Sequence, residues 1–205
     1  MIRIGLTGSI GMGKSSTARI FEAEGVPVFD SDAAVHALYA AGGDAVRPVA
    51  EAFGDVLTEG AVDRSKLSEA LRAEPDGFKR LEAIVHPLVE AARASFVENA
   101  RTRGVKAILF DIPLLYETGG ERAVDVVVVC HAPDTVRRAR VLERPGMTEE
   151  KLDLILARQM PESEKLKRAD YAVETSGGLE SARKQVRDIL KDLGRRAAKG
   201  EFRDA

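Results

Sequence analysis

The chain has 205 residues, 44% hydrophobic and 31% charged, which suits one α/β domain with a substantial core and excludes a disordered or fibrous chain. A formal net charge of -2, no Trp and 5% aromatic residues give little material for a basic or aromatic nucleic-acid surface, so no nucleic-acid partner is expected. Cys130 is alone and the His residues are far apart, which excludes a disulfide framework and a zinc site; no apolar run approaches the roughly 18 residues that span a bilayer, and with no leader-like segment the cytoplasm is expected.

Residues 2–6 are apolar and predict a buried first strand. Directly after them, Gly8-Ser9-Ile10-Gly11-Met12-Gly13-Lys14-Ser15 fits the phosphate-binding pattern G-x-x-x-x-G-K-[ST] in full. A strand, a glycine-rich turn and then a helix is the context this motif needs. Backbone N–H groups around Gly8, Gly11, Met12 and Gly13, continued by the helix start at Ser15 and Ser16, can surround phosphate oxygens. Lys14 would reach the β- and γ-phosphates and Ser15 would hold Mg²⁺. The alternative is a glycine-rich turn of structural use only.

The helix over 16–24 ends at Gly25, and 26–29 predicts a second short strand with Pro27 at its start. It stops at Asp30-Ser31-Asp32, where ligands bind in an open parallel sheet. One of these carboxylates can cap the helix predicted over 33–41 while the other faces an acceptor; Asp32 is the preferred chemical group.

From 42 to 103 no long apolar strand appears. Helices are expected over 45–53, 64–71 and 78–85, with a further one from Pro87 to about 99. A crossover of this size predicts a helical insertion that binds the acceptor. Arg64 and His86 lie inside it; alone, Arg64 reads as a surface charge and His86 as a cap or packing residue.

The strand over 105–110 ends at Asp111, a second carboxylate placed to meet Mg²⁺ directly or through water, or else a strand-end turn. Residues 112–117, Leu114 among them, are too apolar for a plain loop and are expected to line the acceptor groove. The run 124–130 reads as a central strand with Cys130 as a buried thiol. Asp134 can cap a helix to about 143, and Thr148 a second whose Leu152, Ile155, Leu156 and Met160 share a face. This pair, over 134–160, is edged with arginines and reads as a lid closing on phosphoryl oxygens, with Arg140 and Arg144 preferred over Arg137 and Arg138. A last strand over 169–174 and a closing helix from Leu179 to Leu193 follow, with a polar tail over 194–205 expected to fray. The guanine-binding pattern N-K-x-D is absent, which argues for a small-molecule kinase over a GTPase.

Several ordered motifs give a more specific resemblance. The opening GLTGSIGMGKS over 5–15, Asp30-Ser31-Asp32, His86-Pro87, Ile112-Pro113-Leu114-Leu115-Tyr116-Glu117, the arginine-rich hairpin with Arg158-Gln159, and Ala169-Asp170 together resemble the dephospho-coenzyme A kinase family along nearly the whole chain. The resemblance implies a three-layer α/β P-loop kinase fold with a mostly parallel central sheet, a helical acceptor-binding insertion and a helical-hairpin lid. It implies transfer of the γ-phosphate of ATP to the ribose 3′-hydroxyl of dephospho-CoA, with Mg²⁺ and no obligate protein partner. It makes Asp32 the catalytic carboxylate, Arg64 and His86 acceptor contacts, and Arg140 and Arg144 lid residues. Ser9, Met12, Ser31 and Tyr116 depart from the family pattern: Ser9 requires a negative φ, and Met12 offers an apolar edge to the nucleotide. The alternatives are a nucleoside monophosphate kinase, which would form a phosphoanhydride, and a regulatory nucleotide-binding protein without turnover.

Overall fold

The computed structural model describes residues 1–202. In chain order the elements are β1 (Ile2–Thr7), α1 (Lys14–Ala23), β2 (Val28–Asp30), α2 (Ser31–Tyr39), α3 (Val46–Phe53), β3 (Leu57–Thr58), β4 (Ala61–Val62) and α4 (Arg64–Ala73). They continue with α5 (Gly77–Thr102), β5 (Ala107–Asp111), β6 (Val126–His131), α6 (Asp134–Leu142), α7 (Glu149–Leu156), α8 (Glu162–Arg168), β7 (Tyr171–Glu174) and α9 (Gly178–Ala198). Two compact units emerge: Met1–Phe29 with the chain from Ala100 onward, and Asp30–Asn99.

The first unit holds a five-stranded sheet in the order β2-β5-β1-β6-β7. β1 runs parallel to both β5 and β6, and β6 parallel to β7. Side chains alternate across a strand, so β6 feeds two cores. Val126, Val128 and Cys130 join Phe21 of α1 and Val186 of α9, while Val127 and Val129 join Leu115, Tyr116 and Leu166 of α8. With both faces covered, β6 needs no polar side, which explains its unbroken apolar run.

Several boundaries differ from expectation. The second strand begins at Val28, because the Val26 N–H closes the end of α1 on Phe21 O; the Pro27 carbonyl then accepts from Leu109 N. Asp134 is not a cap: Pro133 holds that position, and the Asp134 carboxylate pairs with Arg137 and Arg138. α7 stops at Leu156, short of Met160. α8 has no counterpart among the predicted elements, since its sequence ESEKLKR carries almost no apolar period. Part of the polar tail is helical: α9 continues to Ala198, and Phe202 is buried in the core with the Arg196 guanidinium 4.9 Å from its ring centroid. Residues 203–205 of that tail lie outside the described residues.

The second unit begins at Asp30 and not at residue 42, because Leu38 and Tyr39 of α2 belong to the cluster formed by Val49, Val62, Leu67, Leu71 and Val85. β3 and β4 pair as a hairpin whose two turn residues, Glu59 and Gly60, both have positive φ (50° and 78°), the turn geometry that matches strand twist. α5 is one continuous helix through Pro87, where two helices are expected. An interior proline removes one backbone hydrogen bond and costs about 3 kcal/mol. Packing on both sides of it offsets this cost: Leu81, Ile84 and Val85 before it, and Leu88 and Val89 after it, all belong to the same cluster.

Candidate active site

The phosphate loop leaves the C-terminal end of β1, the central strand of its sheet, where flanking crossovers diverge and ligands bind. Gly11 and Gly13 have φ of 80° and 79°, a conformation that strains any L side chain. Space is as tight as torsion: a Cβ on Gly8 would lie 2.9 Å from Cys130 O, and one on Gly11 would lie 2.6 Å from Val141 Cγ2. Ser9 is not among the positive-φ residues, so its Cβ adds no such strain and the departure from glycine is harmless.

α1 begins at Lys14, and its first intrahelical bond is Thr17 N to Gly13 O at 3.0 Å. The N–H groups of Lys14, Ser15 and Ser16 therefore have no intrahelical acceptor, and no acidic residue occupies the first turn. Such a helix start attracts phosphate. Ser15 and Ser16 are exposed, as a ligand site requires. Met12 differs from expectation: its side chain is 1% exposed and part of the core, so it offers the nucleotide no apolar edge. Its N–H bonds Ser9 O at 3.2 Å and its carbonyl accepts from Thr175 Oγ1 at 3.1 Å.

β5 delivers Asp111 to the same sheet edge, in register with Leu6 of β1. Its carboxylate is ion-paired with Lys14 Nζ, and both side chains are largely buried. The pair holds the loop lysine at the strand ends. Thr7 Oγ1 donates to Pro113 O at 3.1 Å and ties the end of β1 to the segment over 112–117. In that segment Leu114 is exposed, while Leu115 and Tyr116 are buried. Burial pushes the Tyr116 hydroxyl up to about 12, and the Cys130 thiol likewise up to about 12.

The arginines divide into two groups. Arg137 pairs with Asp134 and Glu162, and Arg138 reaches Asp134, Glu149 and Asp153, joining α6 to α7. Arg140 turns to the loop: its guanidinium donates to Thr175 Oγ1 at 2.9 Å and Thr175 O at 2.7 Å, with Gly11 O at 3.4 Å. Arg144 follows the end of α6 and is exposed.

In the second unit Asp30 is the helix cap, its Oδ1 accepting from Asp32 N at 2.9 Å and Ala33 N at 3.0 Å. That leaves Asp32, exposed, on the wall of a cavity of about 730 Å³. Val35, Leu67, Leu71, Phe78 and Leu81 supply an apolar lining, and Asp32, His36 and Arg64 supply charge and hydrogen bonding. The Arg64 guanidinium lies 3.4 Å from His36 Nδ1 and 6.0 Å from the Tyr39 ring centroid. An apolar hollow with a few convergent polar groups is the usual form of a small-molecule site. His86 is exposed in the middle of α5 and does not line this cavity; the histidine that does is His36. The one sequence signal that could have found it is its spacing of four from Asp32, one turn along a helix face. Gln159, whose Oε1 accepts from Ile10 N at 3.1 Å, is a second residue whose contact with the loop the sequence did not indicate.

Among the described residues no group of three or more His, Cys, Asp or Glu could hold a metal ion. The loop and the end of β5 offer hard oxygen donors instead, the Ser15 hydroxyl and the Asp111 carboxylate. This donor set fits Mg²⁺, which binds through one or two protein oxygens together with substrate phosphates. No helix among the described residues is long and apolar enough to cross a membrane.

The family model for dephospho-CoA kinase matches residues 2–181. A dephospho-CoA kinase from Rhizobium etli is 51% identical over 205 residues, 100% of both chains. Another from Agrobacterium fabrum is 54% identical over 194 residues, covering 95% of this chain and 99% of its own. A solved structure from Thermus thermophilus is similar at a TM-score of 0.75 and 34% identity, over 94% of this chain and 97% of that one. The dephospho-CoA kinase of Campylobacter jejuni, 23% identical, shares the fold at a TM-score of 0.68 over 98% of each chain. With the whole phosphate loop intact and the match running from β1 through the helical insertion to β7, the chain belongs to the dephospho-CoA kinase family and is an ATP-dependent kinase of the P-loop fold.

Proposed function

We propose that this chain transfers the γ-phosphate of ATP to the ribose 3′-hydroxyl of dephospho-CoA, giving CoA and ADP, the last step of coenzyme A biosynthesis. The observation that carries this reading is the family match over residues 2–181, which spans a complete phosphate cradle. Phosphoryl transfer asks the protein for positioning and electrostatic stabilisation more than for covalent chemistry. The free N–H groups at the start of α1 and the Lys14 ammonium hold the triphosphate. Ser15 and Asp111 are the residues that would hold Mg²⁺, which when bound neutralises charge on the β- and γ-oxygens. Arg140, already directed at the loop, stabilises charge on the phosphoryl oxygens, and exposed Arg144 joins it when substrates are present.

Residues 30–99 serve as the acceptor unit. The Arg64 guanidinium suits the acceptor's phosphate groups, and the wall of Val35, Leu67, Leu71 and Phe78 suits its apolar parts. Asp32, relieved of capping by Asp30, receives the hydrogen bond of the attacking hydroxyl. In a loose transition state the proton leaves late, so orientation is the larger part of its task. The test is ADP release with Mg-ATP and a panel of dephospho-CoA, AMP, CMP and adenosine, with product mass recorded. Dephospho-CoA-dependent gain of one phosphoryl group is expected; turnover with a nucleoside monophosphate alone would overturn the acceptor assignment and leave the loop chemistry intact.

A further inference from the structure

In the phosphate loop the amide of Ile10 is taken by a distant side chain. Residues 9–12 form a turn closed by Met12 N on Ser9 O, with Gly11 in the positive-φ third position such a turn demands. The N–H of the second turn residue, Ile10, cannot bond within the turn. Gln159 Oε1 accepts it at 3.1 Å, across 149 positions of sequence. Gln159 lies between α7 and α8, and its own position is fixed from the other side. The next residue, Met160, donates its N–H to Glu117 Oε1 at 2.8 Å, and the same oxygen lies 2.8 Å from Lys165 Nζ. Lys165, on α8, is fully buried. A line of contacts thus runs from buried Lys165 through Glu117, Met160 and Gln159 to the Ile10 amide.

We propose that Gln159 is a positioning residue for phosphoryl transfer, holding the outer turn of the phosphate loop in its nucleotide-ready shape, with the Glu117–Lys165 pair setting the register from which it reaches. The inference rests on residues 8–15 being the ATP site. The loop's backbone is also held from outside through carbonyls, Met12 O by Thr175 and Gly11 O by Arg140. A carbonyl pointing outward leaves its neighbouring amides free for phosphate. Ile10 is different, because without an outside acceptor its N–H is a spare donor that can rotate the Ser9–Ile10 peptide and reshape the turn. Gln159 removes that freedom, so its contribution falls on nucleotide binding and not on acceptor binding.

The test is Gln159→Leu, which keeps the approximate volume and removes the acceptor oxygen. ATP affinity is measured directly with a fluorescent ATP analogue, KM for each substrate by ADP release, and exchange of the Ile10 amide by hydrogen–deuterium exchange. The expected result is a loss of ATP affinity of about fivefold, the factor one hydrogen bond is typically worth, with a comparable rise in Ile10 exchange. KM for dephospho-CoA and the unfolding temperature should stay at their original values. Unchanged ATP affinity, or equal losses for both substrates accompanied by a lower unfolding temperature, would overturn the assignment. Because analogue binding needs no acceptor, failure of the dephospho-CoA assay in the original protein is a separate outcome that strikes the acceptor reading alone.

Discussion

The Glu117–Lys165 pair offers a stability test worked directly from the structure. Lys165 has 0% side-chain exposure and Glu117 16%, so both charges are almost wholly removed from water. Burial by itself pushes the Glu117 carboxyl up, but Lys165 and the Met160 N–H together hold it below the usual carboxylate range. Lys165→Met removes the cation and leaves the carboxylate buried, a change that typically costs about 3–5 kcal/mol. For a chain of this size each kcal/mol moves the midpoint by roughly 2–4 °C, so a fall of roughly 6–20 °C at neutral pH is expected. The pH dependence gives a sharper signature. In the original protein the lowered Glu117 value makes its contribution present above the unfolded carboxyl pKa and lost as pH falls through the folded one. In the variant burial is opposed by the Met160 N–H without the cation, so the folded value is higher than in the original protein, and the variant loses stability relative to the original as pH rises. The gap between the two proteins should therefore be wide at about pH 8 and narrower at about pH 5, and adding Glu117→Gln to the variant should close much of it. Calorimetric scans at both pH values read this out. A gap that does not depend on pH, or a double variant no better than the single, would refute the pair as the source of the stability.

Three further outcomes are expected. Gly11→Ala places a Cβ 2.6 Å from Val141 Cγ2 at a φ of 80°, so ATP affinity should fall by about fivefold to about a hundredfold in a nucleotide titration, as a strained backbone position costs about 1–3 kcal/mol. Asp32→Asn should leave ATP affinity within about twofold while kcat in the ADP-release assay falls by about 10²–10⁴, the range of acid–base contributions; unchanged turnover would remove Asp32 from its role. The fully buried Cys130 thiol, pushed up to about 12 by burial, should resist thiol reagents in the folded protein and react only on unfolding, as followed by mass spectrometry.

The parts legible in the sequence are those whose chemistry is contiguous. Eight successive residues supply the phosphate cradle, and the strand before and helix after them can be read from local pattern alone. The β6 run was equally plain, because a strand buried on both faces has no polar alternation to blur it. The positions that resisted reading are ones where tertiary packing overrides a local signal. Pro87 looks like a helix start, yet the apolar residues on both sides of it share one cluster and carry α5 straight through. α8 looks like solvated coil, because its most buried residue is a lysine whose charge is met by Glu117, 48 positions earlier by subtraction of their numbers.

The same distinction separates the two halves of the proposed chemistry. Phosphate binding relies on backbone N–H groups, which any loop of the right shape presents whatever its side chains, so the motif records the glycines that permit the shape and little else. The cavity proposed for the acceptor draws its side chains from three helices, Asp32 and His36 from α2, Arg64 from α4 and Phe78 from α5, and no short spacing joins one helix's residues to another's. His86, beside the conspicuous proline, lies outside that cavity, and His36, which lines it, has no neighbour that marks it in the sequence. A residue recognised by its neighbour in sequence is recognised through the backbone that they share; a residue of a side-chain site is recognised only once the helices that carry it are packed. The cavity in residues 30–99 therefore had to be found in three dimensions, and the variants most informative about acceptor choice are those at His36, Arg64 and Phe78 rather than at His86.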